Sequence, residues 1–437
     1  MYFNKYYLLT FFVIIIIFFE FYLINLNINV YESNSIESGL EETTKLTINY
    51  SNESYLDYLT SEILEKEYKL RYSLKLGKAI PTLWKSPYLV DLDCKKLLRG
   101  DIKYIKDAGN NRHSYKFVSK SFPITCNDIK MRGYYPDEPL TKEESEYPLA
   151  FAINVFHDYL KIEQYFLLMY APQNQFCYAI DKKSTDDFKN KNDDVPLKTN
   201  YELVQIMKVY NGSIDMDFGN SFTSHPINVL KNVSLKYKDL NIFKKEDSRL
   251  NNLIIMNSKL KIQKGFLEAS LPKESVDYIV NVLNISTLIN VLNSGLPYTD
   301  EIFWPSIMTS PELNIPGWQH YKCSKNSKFS YFYFTRRSIY TSRKRCPTKH
   351  IRHGVCLLGI EMLNDLKSWP QFFGNKFYSE FDAGGSTCWV EYLYEKKYFE
   401  FNKEIDETFY MRSPLIKYQK IKRETSNLTE ICNLALT

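Results

Sequence analysis

The chain has 437 residues, 44% of them apolar and 24% charged, which suits one large or two ordinary globular domains and excludes a disordered or fibrous protein. Its net charge of +5 is too slight to imply a nucleic-acid partner, and no basic face is interleaved with a nucleic-acid motif. No G-x-S-x-G, H-E-x-x-H or Cys/His signature is present, which argues against a conventional hydrolase.

At the N-terminus, Leu8 to Ile24 is an apolar run interrupted only by Thr10 and Glu20, near the lower length for a membrane span. Lys5 precedes it and Glu32, Glu37, Glu41 and Glu42 follow it, which predicts a cytoplasmic tail and a lumenal remainder. A signal-anchor fits better than a cleaved signal peptide, because Leu26 to Tyr31 offers no small-residue cleavage site. The expected organisation is a cytoplasmic tail (1–7), a transmembrane signal-anchor (8–25), a lumenal stem (26–90) and a lumenal globular domain (91–437). Asn49, Asn52, Asn211, Asn232, Asn284 and Asn427 each head an N-x-S/T triplet, as a lumenal chain would use for glycosylation. The eight cysteines show no zinc spacing, so disulfides are the default in an oxidising lumen.

Within the body, Pro148 to Ser184 reads as strand, helix, turn, strand. Leu149 to Val155 is a short apolar run, Tyr159 to Tyr170 has apolar residues at helical spacing, and Ala171-Pro172-Gln173-Asn174 is a breaker. Phe176 to Ile180 is a second buried strand. Ligands of such parallel units sit off the carboxyl ends of the strands, where His157 and Asp181 fall, so a nucleotide or nucleotide-sugar site is expected there. Ser184 to Asp194 is a short charged break. Leu267 to Asn293 reads as strand, turn and helix, and a basic, aromatic stretch from Ser330 to Arg352 leads into an apolar strand, Gly354 to Leu358.

Four blocks in order, Tyr147 to Ser184, DVPLKTNYELV (Asp194 to Val204), YTDEIFW (Tyr298 to Trp304) and the HIRHGVC…GNKF…CWVEYL region (His350 to Leu393), resemble the core-2/I-branching β-1,6-N-acetylglucosaminyltransferases, a family that also includes peptide xylosyltransferases. The resemblance implies an α/β fold, a GT-A-like Rossmann-type mixed sheet with flanking helices. It implies a Golgi type II membrane enzyme that transfers N-acetylglucosamine from UDP-GlcNAc in β-1,6 linkage to an O-glycan-type acceptor on lumenal or secreted proteins. It further implies inversion at the anomeric carbon, with no cofactor and no metal. Alternatives of the same lineage are a xylosyltransferase or an inactive lumenal glycan- or protein-binding paralogue.

Inverting transfer needs a base for the attacking hydroxyl, and Glu301 matches the family's base. A leaving diphosphate without Mg²⁺ needs cations. Lys376 matches the lysine of the family's ANKF motif, and Arg352, favoured over His353, matches the basic position before the VC strand. Asp181 and His157 match donor-side positions, and Asp215, Tyr331 and Tyr333 match acceptor-binding ones. Asp215-Met216-Asp217 imitates a D-x-D metal motif, which the metal-free family makes accidental. The family also implies the disulfides Cys94–Cys388 and Cys346–Cys356. Between Ser184 and Asp194 it has several dozen further residues where this chain has nine, which leaves Cys126 and Cys177 without their usual partners.

Overall fold

The computed structural model describes residues 59–73, 80–86, 89–114, 122–155, 158–180, 194–218, 233–294, 299–323, 332–400 and 404–436. The 8–25 apolar segment lies outside them, and among the described residues no helix is long and apolar enough to cross a membrane. Helix α1 (Ser61–Ser73) falls within the stretch that reads as stem, yet it packs against helix α2 (Cys126–Arg132). Leu59 and Leu64 are buried with Trp84, Phe122, Met131 and Leu160, and the Trp84 indole donates to Glu67 at 2.8 Å. Residues 59–73 are therefore part of the folded body. Thr125 and Asp128 form a capping box that starts α2. Arg132, at its end, donates from Nε and Nη2 to the two oxygens of Glu163 at 2.6 Å each, a bidentate pair out of reach of solvent.

The strand–helix–strand reading of residues 148–184 is what forms. Strand β1 (Ala150–Val155) and strand β2 (Gln175–Ile180) are parallel, in register from Ala150↔Gln175 to Val155↔Ile180. Helix α3 (Tyr159–Met169) crosses between them, capped by the Asp158 carboxylate, which accepts from Lys161 N at 3.2 Å. Its breaker is held by Asn174, whose side chain donates to Met169 O and accepts from Leu149 N. Phe151 and Phe176 stack across the pair at 5.4 Å, but on the other face Ala150, Ala152 and Asn154 are exposed.

Strand β3 (Asp194–Pro196) joins a different sheet. It runs antiparallel to the central strand β9 (Phe373–Asn375), which is parallel to the edge strand β6 (Arg336–Ser338). Helix α4 (Asn200–Tyr210) follows β3 under a Thr199/Glu202 capping box. Strands β4 (Asp215–Met216) and β5 (Ala269–Ser270) form one short antiparallel pair, and β7 (Ile351–Arg352) and β8 (Val355–Cys356) another. The protein is thus mixed α/β, but the described strands form four small sheets where one mixed sheet is expected.

Helix α6 (Ser379–Phe399), kinked at Asp382, is the spine of one core, where Trp389, Val390 and Leu393 meet Tyr165, Leu168, Val195 and Leu358. Asp382 accepts from Ile360 N and Gly385 N and pairs with Arg112, which ties the kink to the 101–114 region. A second core holds Met216, Phe218, Leu288, Ile302, Phe303, Ile307 and Leu415. Cys94–Cys388 fastens the start of the body to α6, Cys346–Cys356 braces the β7–β8 hairpin, and Cys323–Cys432 staples the second core to the C-terminal helix. Cys126 and Cys177 form no disulfide.

Candidate functional site

Asp300 and Glu301 open helix α5 (Asp300–Met308), where the macrodipole favours carboxylates. Lys264 Nζ lies 2.8 Å from Glu301 Oε2, and Gly265 N donates to Glu301 O at 2.9 Å. Gly265 has no room to be anything else, since a Cβ there would stand 1.8 Å from Asp217 O. The Lys264–Phe266 segment is therefore pressed between the end of β4 and the start of α5, which brings the ammonium to Glu301. Burial, with Glu301 close by, raises the Asp300 carboxyl above its ordinary range.

From Phe266 an aromatic series leads along one wall. Phe266 packs on Tyr333 at 5.5 Å and lies parallel to Tyr340 at 6.1 Å, with planes 2° apart. Tyr340 bridges to Val355, the partner of Arg352 in the hairpin. The Arg352 guanidinium lies 4.6 Å from the centre of the Tyr378 ring, and Lys376 Nζ lies 5.8 Å from the same centre. The two cations expected at a diphosphate thus share one ring. His353 is exposed at the hairpin tip with φ 50°, followed by Gly354 at φ 78°. These are the two left-handed positions of a type I′ turn, so His353 closes the hairpin while Arg352 lies within the strand.

A second route joins the same regions underneath. Arg336 pairs with Glu268 and lies 3.5 Å from Asp194, and the Asn375 amide, one residue before Lys376, donates to Asp194 at 2.6 Å. Burial pushes the Glu268 carboxyl up to about 8, against the pull of Arg336 and with the help of Asp194.

The two acceptor-side candidates that are described differ in kind. Tyr333 is buried in the wall, and its hydroxyl donates to Glu268 O at 3.1 Å. Asp215 is internal. Its carboxylate accepts from Tyr210 Oη, Phe334 N, Thr335 N and Thr335 Oγ1, and burial raises its pKa to about 6. Fully buried and held by four donors inside the fold, Asp215 anchors the segment that carries Tyr333 and Arg336 and does not face an acceptor. Its neighbour Asp217 is also buried and raised to about 6 by desolvation.

His157, Asp181 and Tyr331 lie outside the described residues, as do Asn49, Asn52 and Asn232. Of the other triplets, Asn211 and Asn427 are exposed and Asn284 is half-buried. Lys264, Phe266, Glu268 and Arg336 have no motif of their own. The one available signal was the K-G pair at Lys264-Gly265, in front of a strand pattern.

The wall thus brings a carboxylate, two cations that could neutralise developing negative charge, and an aromatic series into one run of contacts. Residues 191–367 match the Core-2/I-Branching enzyme model. The Homo sapiens β-1,3-galactosyl-O-glycosyl-glycoprotein β-1,6-N-acetylglucosaminyltransferase is 23% identical over 377 residues, covering 70% of this chain and 86% of the relative. The Homo sapiens N-acetyllactosaminide β-1,6-N-acetylglucosaminyl-transferase is 24% identical over 314 residues, covering 58% and 74%. A Danio rerio transferase of the first type, numbered 4, is 24% identical over 347 residues, covering 63% and 77%. The chain is a glycosyltransferase, and its residues 191–367 are similar to the Core-2/I-Branching enzymes.

Proposed function

We propose that the protein transfers N-acetylglucosamine from UDP-GlcNAc in β-1,6 linkage to an O-glycan-type acceptor on lumenal or secreted proteins. In this reading it is a single-pass type II Golgi protein anchored by the 8–25 segment, with its catalytic domain in the lumen. The acceptor hydroxyl gives its proton to Glu301 as its oxygen bonds to the anomeric carbon. The bond from that carbon to the diphosphate oxygen breaks on the opposite face, and UDP leaves with the electron pair. Arg352 and Lys376 neutralise the diphosphate, with no metal and no cofactor. His157 and Asp181 belong to the donor side, and Tyr331 and Tyr333 to the acceptor side.

One observation carries the reading: the wall is continuous from Glu301 and Lys264, through Phe266 and Tyr340, to Arg352 and Lys376 on the Tyr378 ring. The names of the relatives, each a β-1,6-N-acetylglucosaminyltransferase, supply the donor and linkage. The inward-turned Asp215 supports reading its D-x-D stretch as structural. A second reading, an inactive lumenal glycan-binding protein, is favoured by one feature, the exposed face of the two-stranded β1–β2 unit.

The test is transfer by the full-length chain in detergent, with UDP-GlcNAc and UDP-xylose in competition, a β-1,3-galactosyl glycoside as acceptor, and EDTA present. The expected result is a β-1,6-linked N-acetylglucosamine product at full rate in EDTA. Xylose transfer, or a rate restored only by Mn²⁺, would overturn the donor or the metal-free mechanism. Absence of turnover together with absence of UDP binding would favour the second reading.

A further inference from the structure

Asp158 starts α3 from the left-handed region, at φ 75° and ψ 68°. An aspartate tolerates that conformation better than most residues, but at a cost, so the position is held for what its carboxylate reaches. One oxygen caps α3, accepting from Lys161 N at 3.2 Å. The other accepts from the hydroxyl of Ser379, the first residue of α6. One buried carboxylate thus joins the N-termini of two helices, where both macrodipoles favour it.

Lys161, only 1% exposed, makes the second link. Its ammonium donates to Phe377 O at 3.0 Å, lies 3.9 Å from Asp158 Oδ2 and stands 5.8 Å from the centre of the Tyr378 ring. That is the ring shared by Arg352 and Lys376. Burying an ammonium costs free energy that only well-placed partners offset, and an apolar side chain would fill the same space. What the ammonium adds is direction, because it pins the carbonyl between Lys376 and Tyr378. The preceding carbonyl is pinned as well, since Leu358 N donates to Lys376 O at 2.9 Å. The backbone that carries Lys376 is therefore tied on one side to the residue after the hairpin and on the other to α3.

We propose that Lys161 and Asp158 are positioning residues for the diphosphate cations: through Phe377 O and Ser379 they set where Lys376 and the Tyr378 ring stand. The inference rests on the transferase reading above and adds to it a mechanical link between the donor-side β1–β2 unit and the cations. Both residues act through Lys376 and Tyr378, and neither has to touch the donor.

The experiment measures UDP affinity by calorimetry, with kcat and KM for UDP-GlcNAc, in full-length wild type, Lys161→Met, Ser379→Ala, Lys376→Ala and the Lys161→Met, Lys376→Ala double variant. Lys161→Met keeps the apolar stem and removes the donor. Ser379→Ala removes only the hydroxyl and suits a helix start, so it tests the same clamp should Lys161→Met fold poorly. UDP affinity is expected to fall about tenfold in Lys161→Met and about threefold in Ser379→Ala, with KM rising to match. In the Lys376→Ala background, Lys161→Met is expected to cost no more than about twofold, because the group it positions is gone. A role confined to folding would lower Tm and leave affinity unchanged, or would make the two substitutions fully additive. Either result overturns the proposal while the transferase reading stands. UDP affinity that falls in the variants of a chain that transfers no sugar would keep the clamp and overturn the transferase reading.

Discussion

The β1–β2 unit and the wall around β9 both come from sequence blocks of one family pattern, yet they are built very differently. The β1–β2 unit is two parallel strands crossed by one helix, with an exposed alanine-rich face. Parallel strands are normally covered on both faces. Strand β9 has a strand on either side, the segment after it pairs with Leu358, which follows the disulfide-braced hairpin, and Trp389 of α6 donates to Pro196 O in the neighbouring β3. A motif thus reports the local chain path, whereas the layers around it depend on the segments between motifs. Among the described residues no third strand pairs with β1 or β2, while β9 is paired on both sides. The 377 aligned positions of the first human relative exceed 70% of 437 residues, so that alignment opens gaps in this chain.

If the wall is the working half, the largest effect comes from its cations. Arg352→Ala combined with Lys376→Ala is expected to lower kcat/KM for UDP-GlcNAc by about 10²–10³-fold. Each single variant should account for much of the loss, because both side chains share the Tyr378 ring. A double variant within threefold of wild type would remove the wall from the mechanism.

A smaller effect concerns Glu268. Its folded carboxyl is raised above the ordinary glutamate range, so the folded chain keeps a proton that the unfolded chain releases. Stability from this group is therefore greatest in acid and is lost as pH rises toward about 8. Urea midpoints from pH 5 to 8.5 should move in favour of Glu268→Gln by about 1 kcal/mol or more relative to wild type. Movement in the opposite direction would mean that Glu268 is ionised and held by Arg336.

The smallest effect tests the other side of the contrast. Ala152→Lys, on the exposed face of β1, should change stability by no more than about 0.5 kcal/mol. A loss above about 2 kcal/mol would show that this face is covered, and the contrast between the two regions would disappear.

Much of the local structure was legible in the sequence. The apolar spacing between Tyr159 and Tyr170, the breaker at Asn174 and the strand from Phe176 to Ile180 all read directly from residue order. What could not be read depends on distance along the chain. Asp194, Glu268 and Arg336 come from separate segments and meet only through packing. Lys264 reaches Glu301 only because Gly265 lets two backbones approach. Asp215 shows the limit most clearly, since a D-x-D triplet reads the same whether its carboxylate faces solvent or, as here, a ring of internal donors. His353 and Arg352 are adjacent basic residues in the sequence, and only the hairpin turn separates their roles.

The central claim is that Glu301 removes the acceptor proton beside a diphosphate held by Arg352 and Lys376. Glu301→Gln keeps the shape of the side chain and removes the base, so its kcat should fall by about 10²–10⁴-fold while the affinity for UDP measured by calorimetry stays within twofold of wild type. A variant that turns over at the wild-type rate would contradict the account.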